Sequence, residues 1–217
     1  MTMPTTSSET STPRHRSDGD RSRQVILAAA TQLATTEGLD RLSIGDLAAH
    51  IGMSKSGLYA HFRSKEELQL ATIDAAEAIF EAEVIEPSRR APVGLPRVVA
   101  LADAFLDHLR RRVFPGGCFF ACASAELHAR PGPVKDRIAA FDRRWKAHFV
   151  DQFRVAVDDG SLPAGTDFDQ LWFEIDAYLL YAHAAFSFRN DPSVLDRGGE
   201  AVRRRLGVPV AAADAGS

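Results

Sequence analysis

Cysteine is scarce in this sequence: Cys118 and Cys122 are the only two in 217 residues. That excludes a disulfide-stapled scaffold and suits a reducing compartment, so a cytoplasmic location is expected. There is no run of about 18 apolar residues, so neither a transmembrane helix nor a membrane partner is expected. The opening stretch, MTMPTTSSETSTPRHRSDGD, lacks the apolar segment that directs export. Strand-like alternation and internal repeats are missing too, which points to an all-α fold. Catalytic signatures are absent: no Gly-x-Ser-x-Gly elbow, no phosphate-cradling loop and no His-Glu-x-x-His. No enzyme, cofactor or metal is expected. An excess of positive charge is lacking as well. The formal net charge is -3, which at first sight argues against a nucleic-acid partner.

What is present is an ordinary globular composition, 45% apolar and 25% charged. Residues 1–20 are rich in Ser and Thr and almost free of large apolar side chains. They read as a disordered tail, solvated or lending loose DNA contacts through Arg14 and Arg16, with Arg21 and Arg23 just beyond. From Arg21 the spacing turns helical, with Ile26, Ala29 and Leu33 in phase and Gly38 as a stop. Ser43 opens a second helix, with Asp46 completing a capping box and Gly52 ending it. Ser54 opens a short third helix, and Ser64 with Glu67 opens a fourth, from Lys65 to about Glu86.

Pro87, Pro92, Gly94 and Pro96 then interrupt the chain. Further helices are expected over 96–113, 118–128, 134–158, 168–188 and 192–206, about nine in all. The segment 168–188 is apolar nearly all round, so it must be covered on more than one side. Within the last helix, Gly198-Gly199 permits a close approach or breaks the helix.

Two short helices joined through Gly52 fit a helix-turn-helix, whose second helix lies in a DNA major groove. Lys55, Ser56, Gly57, Tyr59 and His61 suit that work: a cation, a small hydroxyl, a close backbone approach and two groups that reach phosphate. An ordinary helical hairpin is the alternative. The residues go further than spacing. Leu42-Ser43-Ile44-Gly45-Asp46-Leu47-Ala48, Ile51-Gly52-Met53-Ser54, Leu58-Tyr59-Ala60-His61-Phe62 and Lys65-Glu66-Glu67-Leu68 closely resemble the DNA-binding segment of the TetR (tetracycline-repressor) family. Gly116-Gly117-Cys118 through Glu126 more weakly resembles the C-terminal part of some members.

The resemblance implies an N-terminal three-helix reading domain (21–66) and a larger C-terminal effector-binding and dimerisation domain (67–217). It implies a dimeric repressor on a double-stranded, palindromic operator, released by a small, largely apolar molecule. Carried over by position, Ser54, Lys55, Ser56, Gly57, Tyr59 and His61 belong to the recognition helix, and Ser43 and Lys65 meet phosphate from helix starts. Where Gly45 stands, many members carry a longer polar residue that reads a base, so readout here shifts to Lys55, Ser56 and DNA shape. A dimeric DNA-binding regulator without an effector is the rival reading.

Of the 18 aromatic residues, only Tyr59 and Phe62 precede residue 79. That concentration suits a domain enclosing an apolar ligand, with core packing as the competing reading. The candidate ligand contacts are Phe105, Leu109, Cys122, Glu126, Trp145, Phe149, Trp172 and Tyr178. Cys118 and Cys122, one helical turn apart, invite a redox or metal role with His108 or His128, although small buried thiols are commoner. His183, flanked by Ala182 and Ala184, fits a core or interface histidine better than a catalytic base. The helices at 168–188 and 192–206 are expected to form a homodimer interface. Residues 21–65 hold six basic and three acidic residues, a net +3, which leaves -6 on the remainder. The acidic total thus averages a basic reader with an acidic body.

Overall fold

The computed structural model describes residues 14–209, and among them every element is helical. Helix α1 (Arg14–Thr36) begins seven residues before the expected start at Arg21. The expected tail is therefore helical from residue 14 onward, and its first thirteen residues lie outside the described part. With no large apolar side chain to mark a period, that extension left no pattern to read. Helices α2 (Ile44–His50) and α3 (Lys55–Tyr59) follow, and α4 starts at Lys65.

Helix α4 runs as Lys65–Phe80, loosens into a π-helical turn at Glu81–Ile85, and ends with Glu86–Ser88. After it come α5 (Leu95–Arg110), α6 (Phe119–Leu127), α7 (Pro133–Asp158), α8 (Phe168–Arg189) and α9 (Ser193–Leu206). Taking the π turn as part of α4, the described residues form nine helices. None of the described helices is long and apolar enough to cross a membrane.

The serines that open the reader's helices act as caps. Ser43, Ser54 and Ser64 each accept from the backbone N–H three residues on, at 3.1, 3.0 and 3.0 Å. Glu67 reaches back past the cap and accepts from the Arg63 N–H at 2.7 Å. Gly52, with φ at 69°, makes the turn between α2 and α3. Ile26, Leu47, Leu58, Phe62 and Leu68 pack the reader's interior and are fully buried. Arg23 fastens α1 onto it. Its guanidinium donates to the His61 carbonyl at 3.0 Å and lies 4.3 Å over the Phe62 ring. Arg23 is thus a fastener of the reader's own fold, unlike the loose DNA contact considered from the sequence.

Reader and body share one hydrophobic cluster, running from Ile26 to Leu206. The seam between them is close. Gln32 donates to the Val113 carbonyl at 3.2 Å, and the Gly116 N–H donates to Thr35 Oγ1 at 3.2 Å. Gln69, buried on α4, donates to the Leu39 carbonyl at 2.8 Å. In the body, α8 and α9 pack on each other through Gly198, where a Cβ would come 2.9 Å from that of Ala182. The glycine pair therefore serves close approach within the subunit, and α9 continues unbroken.

A Cβ at Gly116 would lie 1.9 Å from the Thr35 carbonyl oxygen. Gly116→Ala should accordingly cost about 1–3 kcal/mol of stability, the usual range for overpacking. Thermal unfolding measures this, and an unchanged melting temperature would mean that the seam yields freely.

Candidate DNA-reading head and effector cavity

The surface of the reader sorts its candidate residues into two kinds. Lys55, Ser56 and Tyr59 are exposed on α3, and Lys55 has no hydrogen-bond or ion-pair partner among the described residues. Ser43 and Ser54 already serve as caps, and Ser43 also donates to Asp46 Oδ2 at 2.6 Å. Gly57 sits over its own cap. A Cβ there would lie 3.0 Å from Ser54 Oγ, so a larger residue would press on the residue that starts the helix. His61 is half-buried and its carbonyl is taken by Arg23. Lys65 is exposed, but its ammonium bonds to the Asp40 carbonyl. Arg21, Arg41 and Arg63 are exposed cations without an ion-pair partner among the described residues. The sequence reading counted these three as charge but did not assign Arg41 or Arg63 to the site; an excess of cations over anions was their signal.

The body contains a cavity of about 610 Å³, open on one side. Its inner wall is aromatic: Phe80 from α4, Phe105 from α5, Phe120 from α6, and Phe141 and Trp145 from α7. Phe80 meets Phe141 and Trp145 edge-on at 5.0 and 5.1 Å, and Phe120 stacks on Phe141 at 3.3 Å. Polar groups on the wall are Ser124, Asp142, Asp176, His183 and the two cysteines; no Lys or Arg lines it.

Three of the expected ligand contacts, Phe105, Cys122 and Trp145, lie on this wall. The other five do not. Leu109 and Phe149 are core residues on the same stripes, with 1% and 0% exposure. Trp172 packs behind Trp145 at 6.2 Å, and Tyr178 faces a separate groove toward α9. Glu126 is turned to the seam, where its carboxylate accepts from the Asp40 N–H at 3.1 Å, next to Gly38. Periodicity identifies a buried stripe but not where along it the packing leaves a gap. Asp142, Asp176 and His183 also line the cavity, and neither aspartate was singled out in the sequence, because a lone carboxylate on one helix does not show what faces it from the next.

Burial pushes the Cys118 thiol up to about 12, and burial also raises Cys122. Both stay protonated near neutral pH, which works against thiolate redox or metal chemistry. Among the described residues no group of three or more His, Cys, Asp or Glu could hold a metal ion. His183 is lowered by burial, and His108 is brought down by burial to about 4; each is a neutral imidazole. His108 is wedged edge-on against Phe80 and Phe114. Burial first, and then the charge of Asp142, push Asp176 up to about 6.

A capped helix-turn-helix with unpaired cations, fused to a helical body with an apolar cavity, defines a DNA-binding regulator with room for a ligand. Comparison with known proteins agrees. A family model described as bacterial regulatory proteins, tetR family, matches residues 26–72. A second, the tetracyclin repressor-like C-terminal domain, matches residues 94–202. The chain belongs to the TetR family of DNA-binding transcriptional regulators, which act by binding DNA and not as enzymes.

Among curated relatives, the nucleoid occlusion factor SlmA of Pasteurella multocida is 26% identical over 168 residues, 77% of this chain and 81% of that protein. The regulator EthR of Mycolicibacterium smegmatis is 40% identical over 74 residues, 32% of this chain and 34% of its own length. A TetR regulator from Chloroflexus aurantiacus shares the fold with a TM-score of 0.82 at 22% identity, covering 88% of this chain and 96% of that one.

The folded value of Asp176 lies above the unfolded carboxyl value, so its ionisation costs stability above about pH 6 and the cost fades as pH falls toward 4. Asp176→Asn should therefore stabilise the protein by on the order of 1–3 kcal/mol at pH 8 and by little at pH 4. Melting curves at the two pH values check this. An equal gain at both would assign the effect to something other than the charge.

Proposed function

We propose that this regulator is a repressor that binds a palindromic operator as a homodimer and is released when a small, largely apolar molecule fills the cavity. The reading rests on one observation above all. Phe80, on the cavity wall, is the last residue of α4 before the π turn, and the same helix begins in the reader at Lys65. A π turn holds one residue more than an α turn and recurs at functional positions. It gives α4 slack where the ligand would press. A ligand that fits the cavity better in the DNA-incompetent arrangement draws the population toward it.

On the DNA side, Lys55, Ser56 and the backbone at Gly57 meet base edges. Tyr59 and His61 flank them at phosphates. Ser43 and Ser54 hold the helix starts toward the backbone, joined by the free cations Arg41 and Arg63. Lys65 acts chiefly by bracing the Asp40 turn. The dimer forms through α8 and α9. Phe173, Leu180, Tyr181 and Phe188 stand exposed along α8 at 66%, 44%, 64% and 89%, an apolar stripe that a lone subunit leaves in water. A two-fold pairing there sets the two recognition helices about 34–36 Å apart, one turn of DNA.

Footprinting on the DNA upstream of its own gene, with and without a panel of hydrophobic compounds, tests the reading. Protection of a palindrome that one compound lifts supports it. Protection indifferent to the whole panel favours a regulator without an effector. Lys55→Ala should weaken the preferred site by about 1–3 kcal/mol and random DNA far less, if the lysine reads a base. Tyr181→Glu should shift the protein to a monomer in sedimentation and abolish palindrome protection. A variant that stays dimeric would remove the α8 stripe from the interface.

A further inference from the structure

The cavity has a sign as well as a shape. Its inner wall is five aromatic rings, and two carboxylates, Asp142 on α7 and Asp176 on α8, share its lining. Neither carboxylate has a hydrogen-bond or ion-pair partner among the described residues. Several other carboxylates of the body are answered by arginine: Asp74 by Arg137, Glu77 by Arg144, Asp103 by Arg203. A third polar group also waits in the wall. His183, 8% exposed, keeps a buried Nε2 without a hydrogen-bond partner among the described residues. Buried polar atoms left unsatisfied are rare enough to need a reason.

We propose that the effector is a hydrophobic organic cation, its charge held between Asp142 and Asp176 and its apolar body packed among Phe80, Phe105, Phe120, Phe141 and Trp145. The proposal rests on the reading of this cavity as the effector site and narrows its chemistry. An anion would meet two like charges and no lysine or arginine. A neutral apolar molecule would remove water from carboxylates without answering their charge, which is costly. A cation answers both carboxylates and gains from the faces of the rings. Asp176 already bears the cost of burial and of its neighbour's charge, and a bound cation offsets both. His183 lies seven residues beyond Asp176 on α8, two turns along the same face. Its Nε2 faces Gly117 inside the fold, so His183 gives the wall ring surface and not a hydrogen bond. A cation between α7 and α8 also offsets the repulsion between Asp142 and Asp176, two like charges on facing helices.

Tetraphenylphosphonium and tetraphenylborate have the same shape and opposite charge, which isolates the charge term. Calorimetric titration of the full-length protein should show the phosphonium bound at least roughly tenfold tighter than the borate, the scale of a desolvated cation over aromatic rings. Asp142→Asn combined with Asp176→Asn should erase that preference. Both carboxylates lack partners, so the variant is expected to melt no lower than the parent, and the exposed Asp142→Asn alone should lessen the preference.

Equal binding of the two ions, a preference for the borate, or a preference that survives the double variant overturns the proposal. If the neutral triphenylphosphine oxide lifts the operator footprint while the phosphonium is not favoured, the cation inference fails and the effector reading stands. If none of the three binds, both fall.

Discussion

The structure depends on a seam where one backbone lies against another. The carbonyl of Thr35, at the end of α1, sits where a side chain on residue 116 would have to go. Around that contact, Gln32, Thr35 and Gln69 exchange hydrogen bonds with backbone on the far side, and Glu126 takes the Asp40 N–H. The hydrophobic cluster runs through it without a break. A reader mounted on a flexible linker would be indifferent to the state of the body. Here α1 and α4 pack on each other and on the body helices, so a shift in the body has to be taken up by the reader or stored as strain. The glycine at residue 116 is what brings the two so close.

Charge follows the same division of labour. In the body most arginines are spent on carboxylates, some of them on neighbouring helices, as between Arg137 and Asp74 or Arg205 and Glu174. Such exposed pairs contribute little to stability each, but they neutralise much of the body's positive charge. In the reader, Arg21, Arg41, Lys55 and Arg63 stay unpaired and exposed. A chain with net charge -3 can thus carry a local positive surface that steers it to a polyanion. The cavity inverts the pattern, with unpaired anions on an apolar wall.

The reader was legible in the sequence because its signals are local. Ser43, Ser54, Ser64 and Glu67 are caps that act within a single turn, and Gly52 sits where only a left-handed residue closes the corner. Helix order and type in the body were legible for a similar reason, since the stripes of α5 and α7 repeat at helical spacing. The cavity was not. Leu109 and Phe105 share one stripe, yet one is packed solid and the other faces a void. Which of them borders empty space depends on how far apart four other helices stand. Glu126 was read as a ligand contact from its place on α6, but its direction is set by the Asp40 N–H in the loop after α1, 86 residues earlier in the chain. The π turn left no pattern either, because its residues, Glu81–Ile85, include no glycine or proline to mark it.

Phe80, the residue just before that turn, sits among the rings of the body. It touches Phe105, His108, Phe120, Phe141 and Trp145, rings drawn from α5, α6 and α7. His108 behind it is neutral, and among the described residues neither ring nitrogen has a hydrogen-bond partner. A side chain held by aromatic edges alone moves when those edges move. Its helix loosens at the next residue and has its start braced against the Asp40 turn through Lys65. Movement at the cavity therefore has a route along α4 to the base of the reader, and the rings, the slack turn and the braced start all lie on one continuous helix.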